Sequence, residues 1–238
     1  MVSQGELRRH PRRTVFNGVR LGVLLHLGLL FATFLLHPGI LQAETDTGSA
    51  HNLLLKYPLE GDWYLSSRNL LTSRDGFDDF FFGYLDLNLG RDLGEGWAAE
   101  AGYRHAWLDM GDYWRDEYRP SALLSYRGKL GDWSFANRHR LEYRMFEGGA
   151  GERFRYRNET RLIAPFEVEA FKAKPFFEEE FFYEFDGNGF NFNWLTGGLR
   201  WKVRDGVFTK LGYRWQAAKY GDDWSHRHQL VTGLMLFF

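Results

Sequence analysis

Arginine and glutamate recur at every second position in several stretches of this chain. Arg138, Arg140, Glu142 and Arg144 form one such row, Arg155, Arg157, Glu159 and Arg161 a second, and Glu178, Glu180 and Glu184 a third. A guanidinium is planar, always charged, and pairs two-fold with a carboxylate, so the chemistry these residues offer is ion pairing and anion binding. Other groups suggest catalysis or metal binding and do so weakly. His105 and Asp109 share a face, but an acid and a base four apart on an extended chain are too distant to touch unaided. No serine has a spacing that suggests a Ser–His pair. His226 and His228 lie near Asp222 and Asp223, a grouping that could take a metal ion and reads better as a solvated acidic rim. Glu178-Glu179-Glu180 could hold calcium, but alternation turns Glu178, Glu180 and Glu184 toward the arginines and leaves Glu179 facing the other way. Glu179 is therefore expected near a membrane interface or at a bulge. No catalytic residue, metal site or cofactor is expected.

The elements that carry these residues must be strands. In 97–109, Trp97, Ala99, Ala101, Tyr103, His105 and Trp107 fall on one face, and Glu100, Gly102, Arg104 and Ala106 on the other. Only a period of two separates those sets. Ten such segments are read, at about 62–72, 78–89, 97–109, 118–127, 133–146, 154–164, 174–185, 194–203, 207–216 and 226–238. Their lengths match the roughly 9–11 residues that a tilted strand needs to cross a bilayer. The connectors alternate too. Short turns rich in Gly and Asp fall at 90–96, 128–132 and 204–206. Acidic connectors at 73–77, 110–117, 147–153, 186–193 and 217–225 fall at the other end. This places both chain ends on the side of the short turns.

Residues 1–43 differ in kind. Arg8, Arg9, Arg12, Arg13 and Arg20 precede an apolar run from Leu21 to Leu36, as in a secretory signal peptide cleaved after Ala43. Residues 44–61 then read as a periplasmic segment and 62–238 as the barrel. The full chain has 238 residues, no cysteine, 18% aromatic residues and a net charge of -1. Its mean hydropathy is -0.44, so much ring surface is carried by a chain that is not greasy. Removing residues 1–43 takes five arginines and one glutamate and leaves 25 basic and 30 acidic residues. Such a composition excludes a disulfide scaffold and a disordered tail, and nothing in it suggests nucleic-acid binding. Rings that fall mostly near strand ends (Trp63, Trp97, Trp107, Trp133, Trp194, Trp201 and Trp215) fit interfacial girdles. The girdle reading is preferred to a carbohydrate-stacking track at Tyr113, Trp114 and Tyr118.

One face of the strands is apolar and the other is charged. The charged face holds Arg68, Arg104, Arg119, Arg127, Arg138, Arg140, Arg144, Arg155, Arg157, Arg161, Arg200, Lys202, Lys210, Arg214 and Arg227. Against these stand Asp62, Asp86, Glu100, Glu142, Glu159, Glu178, Glu180 and Glu184. Thirteen of its fifteen cations are arginine, which suits a confined interior better than a solvated surface. The fold class expected is all-β: a transmembrane up-and-down antiparallel β-barrel of about ten strands, twelve being the alternative. The expected location is the outer membrane of a Gram-negative bacterium. Phe238, ending an alternating strand, resembles the insertion signal by which the barrel-assembly machinery takes up such proteins.

The runs NRHRLEYR (137–144), FRYRNETRL (154–162) and KPFFEEEFFYEF (174–185), with GGLRWKV and KLGYRWQ, resemble the uncharacterised bacterial outer-membrane family known as domain of unknown function 2490. The resemblance spans roughly residues 60–238 and implies location and fold, with no activity. Arginine rows facing a small lumen are more loosely similar to the oligogalacturonate porins, which pass acidic sugars. The reading that follows is a narrow, anion-leaning passage for small solutes. Its lumen residues are Arg104, Arg127, Arg138, Arg140, Arg144, Arg155, Arg157, Arg161, Arg200 and Arg214 with Glu100, Glu142, Glu159, Glu178 and Glu180. The constriction is assigned to Arg138, Arg140, Arg144, Arg155, Arg157 and Arg161. The alternatives are a closed barrel with a structural or docking role in the envelope, and, further off, an outer-membrane enzyme. Outer-membrane lipid and a small anionic solute are the other partners expected.

Overall fold

A computed structural model describes residues 45–149, 151–186, 189–220 and 223–238. The expected signal peptide, 1–43, lies outside the described residues. Eleven strands close into one barrel: β1 (Thr45–Pro58), β2 (Trp63–Arg74), β3 (Asp79–Gly94), β4 (Trp97–Asp109), β5 (Trp114–Leu130), β6 (Trp133–Phe146), β7 (Glu152–Ile163), β8 (Lys174–Glu184), β9 (Gly189–Arg204), β10 (Val207–Tyr220) and β11 (Asp223–Phe237). Each pairs with its sequence neighbours in antiparallel fashion, and β1 pairs with β11 to close the ring. The shortest strand, β8, has 11 residues and the longest, β5, has 17. Every strand is thus long enough to cross a hydrocarbon layer when tilted. Among the described residues no helix is long and apolar enough to do so.

The count exceeds the ten read from alternation by one. The additional strand is β1, drawn from the segment 44–61 that was expected to lie in the periplasm ahead of the barrel. Its pattern is the weak one: Leu53, Leu54 and Leu55 are apolar on both faces, and its lumen face carries Gly48, Ala50 and Asn52 where other strands carry charge. Neighbouring strands in the ladder reverse direction, so an odd number leaves the first and last strands parallel, with Ala50 beside Val231 and Leu53 beside Leu234. The start of β1 and the end of β11 therefore lie at opposite rims, not on one side as expected.

One rim carries three two-residue turns, together with the longer links 59–62 between β1 and β2 and 164–173 between β7 and β8. Glu95-Gly96, with both φ angles positive (50° and 87°), joins β3 to β4, as the twist of a hairpin demands. Asp205-Gly206 joins β9 to β10, where Gly206 has φ 72° and an added Cβ would sit 2.3 Å from the carbonyl oxygen of Phe237. The opposite rim carries the connectors after β2, β4, β6, β8 and β10. These are shorter than the acidic loops anticipated, because β5, β7, β9 and β11 extend into them. Glu117 consequently stands inside the barrel wall.

The faces sort as alternation requires. In β3, Leu85, Leu87 and Leu89 are 44%, 56% and 45% exposed, while Asp86 and Asn88 between them are 0% and 2% exposed. The apolar side chains point outward and the charged ones inward. The interior is itself two-sided: Ala50, Leu70 and Val231 form a small apolar cluster beside the β1–β11 seam, with Phe82, Tyr84 and Trp194 packed on it. Charged side chains crowd the wall from β3 to β8.

Candidate functional site: the charged lumen

Two hubs occupy the middle of the lumen. Asp86 on β3 accepts from Arg104 Nη2 on β4 at 2.7 Å and from Arg140 Nη2 on β6 at 2.6 Å, both through Oδ2. Glu142 on β6 accepts from Arg155 Nε and Nη2 at 2.9 and 2.6 Å, and from Arg157 Nη1 at 3.0 Å. Arg157 also donates from Nε and Nη2 to Glu180 Oε1 at 3.1 and 2.7 Å. Taking such charges out of water costs several kcal/mol for each ion, so a lone pair would gain little, while two or more guanidiniums around each carboxylate repay the cost. Flat guanidiniums further cover aromatic faces: Arg104 lies 3.7 Å from the centre of the Tyr84 ring and Arg157 4.5 Å from that of Phe182.

The network continues toward both rims. Toward the connectors, Glu117 accepts from Arg119 Nε and Nη2, both at 2.6 Å, and also pairs with Arg144, which reaches Glu184. Toward the short turns, Arg68 grips Glu100 through both carboxylate oxygens at 2.7 and 3.1 Å, and Tyr64 donates to the same group at 2.9 Å. Glu159 pairs with Arg138 and Arg161, and Glu178 with Arg161 at 3.0 Å and Lys210 at 2.6 Å.

The expected lumen residues all lie on lumen-facing positions, but they do not form a single ring. Arg144 and Arg155 sit toward the connectors, Arg140 and Arg157 at the middle, and Arg138 and Arg161 toward the turns. The six assigned to a constriction are therefore spread along the lumen as separate tiers. Arg127 is exposed near the turn rim. Three carboxylates central to the network were absent from that set. Asp86 and Glu184 belong to the charged face by alternation; Glu117 falls in the expected connector 110–117, which its acidic residues Asp112, Asp116 and Glu117 mark as a loop. Trp194, expected in a girdle, points inward, where its Nε1 donates to Gln216 at 3.1 Å.

On the outer wall alternation also places polar groups. Asn137 Nδ2 donates to Asn158 Oδ1 at 3.0 Å and to Thr160 Oγ1 at 2.9 Å. Glu179 stands at the midpoint of β8, away from the strand ends; the β8–β9 irregularity falls at Phe182 and Tyr183. No bulge accommodates it, and Asn193 Nδ2 donates to it at 3.3 Å.

The histidines join rings and neighbouring strands. His105 Nε2 lies 2.9 Å from Asp116 Oδ1, while Asp109 is occupied by Arg74. His226 stacks on Trp215 at 5.3 Å and His228 on Tyr213 at 5.7 Å. Among the described residues no group of three His, Cys, Asp or Glu side chains gathers at metal-binding distance. At the seam, the backbone N–H of Phe238 donates to the carbonyl of Lys56 at 3.0 Å, and its ring approaches that of Tyr57 at 6.0 Å.

A family model described as "Protein of unknown function (DUF2490)" matches residues 51–227. No curated protein and no solved structure matches the chain.

Proposed function

From the premise that this chain belongs to the DUF2490 family of proteins of unknown function, we propose that it is an outer-membrane barrel whose lumen is stoppered by its own ion pairs. Its role is structural or docking within the envelope. The observation that carries this is the burial of the central hub: Glu142 and Asp86 are 0% exposed and Arg104, Arg140 and Arg157 at most 2%. A water-filled pore at that level would leave those groups wet. The membrane setting is supported by the inverted pattern of exposure, because leucines left bare on a barrel wall and charges gathered inside suit lipid outside. Lipid covers the outer wall in this reading, and the last strand with Phe238 is the segment offered to the barrel-assembly machinery. No catalytic step is assigned.

A second reading, the narrow anion passage, is favoured by one observation. Arg127, Arg200 and Arg214 face the lumen without a carboxylate at ion-pair distance among the described residues. Reconstitution into planar bilayers separates the two. The stoppered barrel predicts folded protein with no unitary steps, whereas reproducible anion-selective steps from the wild-type chain would overturn it in favour of the passage.

A further inference from the structure

Arg214 on β10 is 4% exposed. Its Nε donates to Thr196 Oγ1 at 3.1 Å, and its Nη1 is buried with no hydrogen-bond partner. The guanidinium lies 4.3 Å from the centre of the Trp194 ring. It borders a cavity of about 100 Å³ on the seam side of the lumen. That is several times the roughly 10–15 Å³ that a single water requires.

The charges around this cavity do not balance. Arg68, Arg138, Arg161, Lys210 and Arg214 line it against Glu159, Glu178 and Glu180, an excess of two positive charges. Every other buried arginine of the central hubs has a carboxylate to answer it; Arg214 has a hydroxyl and a ring face. A buried guanidinium left in this state is costly. Water can accept one of its N–H bonds but cannot neutralise the excess. Lys210 gives one ammonium N–H to Glu178 at 2.6 Å and has two more to offer.

We infer that this chamber binds a small oxyanion, of the phosphate or short-carboxylate class, with Arg214 and Lys210 as its principal ligands and Trp194 as one wall. The forked N–H groups of Arg214 suit two oxygens of one anion better than a spherical halide. Arg200, stacked 4.2 Å over Phe208, and the exposed Arg127 continue the row of unanswered guanidiniums toward the turn rim. The inference deepens the stoppered-barrel reading by naming what the interior holds, and it rests on that lumen. It does not depend on whether the barrel conducts.

The test is calorimetric titration of the folded full chain in detergent with inorganic phosphate, acetate and chloride as separate probes, with tryptophan emission followed in parallel. Heat-modifiable migration on gels reports for each variant whether the barrel is closed, so loss of the site and loss of the barrel are distinguished. Saturable binding of phosphate or acetate with a change in emission is expected, and the tighter probe distinguishes a tetrahedral from a planar anion. Arg214→Met should weaken it about tenfold or more and Arg214→Lys less, since charge remains without the fork. Lys129→Met, removing an exposed charge at the turn rim, should leave it unchanged. If Arg214→Met does not close, Lys210→Met addresses the same site and should also weaken binding. No saturable binding by closed wild-type barrels, chloride binding as tight as the oxyanions, or affinity unchanged in closed Arg214 and Lys210 variants would overturn the assignment.

Discussion

Glu142 and Arg155 form a two-bond pair on adjacent strands, with Nε and Nη2 of the arginine both directed at one carboxylate oxygen at 2.9 and 2.6 Å. The other oxygen of Glu142 accepts from Arg157 at 3.0 Å. One anion therefore holds two like charges together where water does not reach. Glu142→Gln keeps the shape and removes the charge, leaving Arg155 and Arg157 to repel each other. Denaturant unfolding in lipid vesicles should show a loss of about 3–5 kcal/mol. A loss under about 1 kcal/mol, typical of exposed ion pairs, would mean that solvent reaches the hub.

The odd number of strands makes a topological prediction. Because β1 and β11 run parallel, the start of β1 lies at the rim of the β4–β5 connector, opposite the Gly131-Asp132 turn. Epitopes placed ahead of Thr45 and within 110–113 should label on one side of the membrane, and an epitope at Gly131 on the other. Antibody binding to intact and permeabilised cells reads this directly. Labelling of the Thr45 and Gly131 epitopes together would restore an even count.

These two cases also mark how far the sequence could be read. Alternation of Arg and Glu against Leu, Tyr and Trp identified β2 to β11 and the lumen face, because a period of two is legible wherever the two faces differ in polarity. It failed at β1, whose lumen side between Asp46 and Lys56 is uncharged (Gly48, Ala50, Asn52, Leu54), with Ala50 packed on Leu70 and Val231. Pairing was beyond it in another way. Arg140 meets Asp86 across the lumen, 54 positions away, and no spacing along one strand encodes that meeting. The acidic residues Asp112, Asp116 and Glu117 read as a loop and hid the start of β5 at Trp114, and with it the inward place of Glu117. The surplus of positive charge was visible in the composition of the charged face, but its collection around Arg214 and Trp194 depends on how distant strands meet when the barrel closes.

Gly48 tests the seam. A Cβ there would stand 1.9 Å from the backbone oxygen of Ser73, which cannot withdraw without breaking the ladder. Gly48→Val should destabilise the closed barrel by about 1–3 kcal/mol or more through overpacking. The heat-modifiable fraction should fall accordingly. Thr47→Val, on the exposed side of the same strand, should leave that fraction unchanged. Equal behaviour of the two variants would show that β1 does not close the ring.

Glu179 offers the sharpest test of what bathes the outer wall. It stands mid-strand on the face that carries Phe177 and Phe181, and its carboxylate receives one hydrogen bond, from Asn193 at 3.3 Å. In lipid an ionised carboxylate at that depth is costly, although less so than a lysine or arginine. Glu179→Gln removes the charge and retains an oxygen to accept from Asn193. The substitution should stabilise the barrel in vesicles at neutral pH by about 1 kcal/mol. In water the same exchange should be nearly neutral, because a solvated carboxylate costs nothing to keep ionised. Unfolding midpoints of the two proteins that coincide in vesicles would place Glu179 in water and remove lipid from the β7–β9 wall.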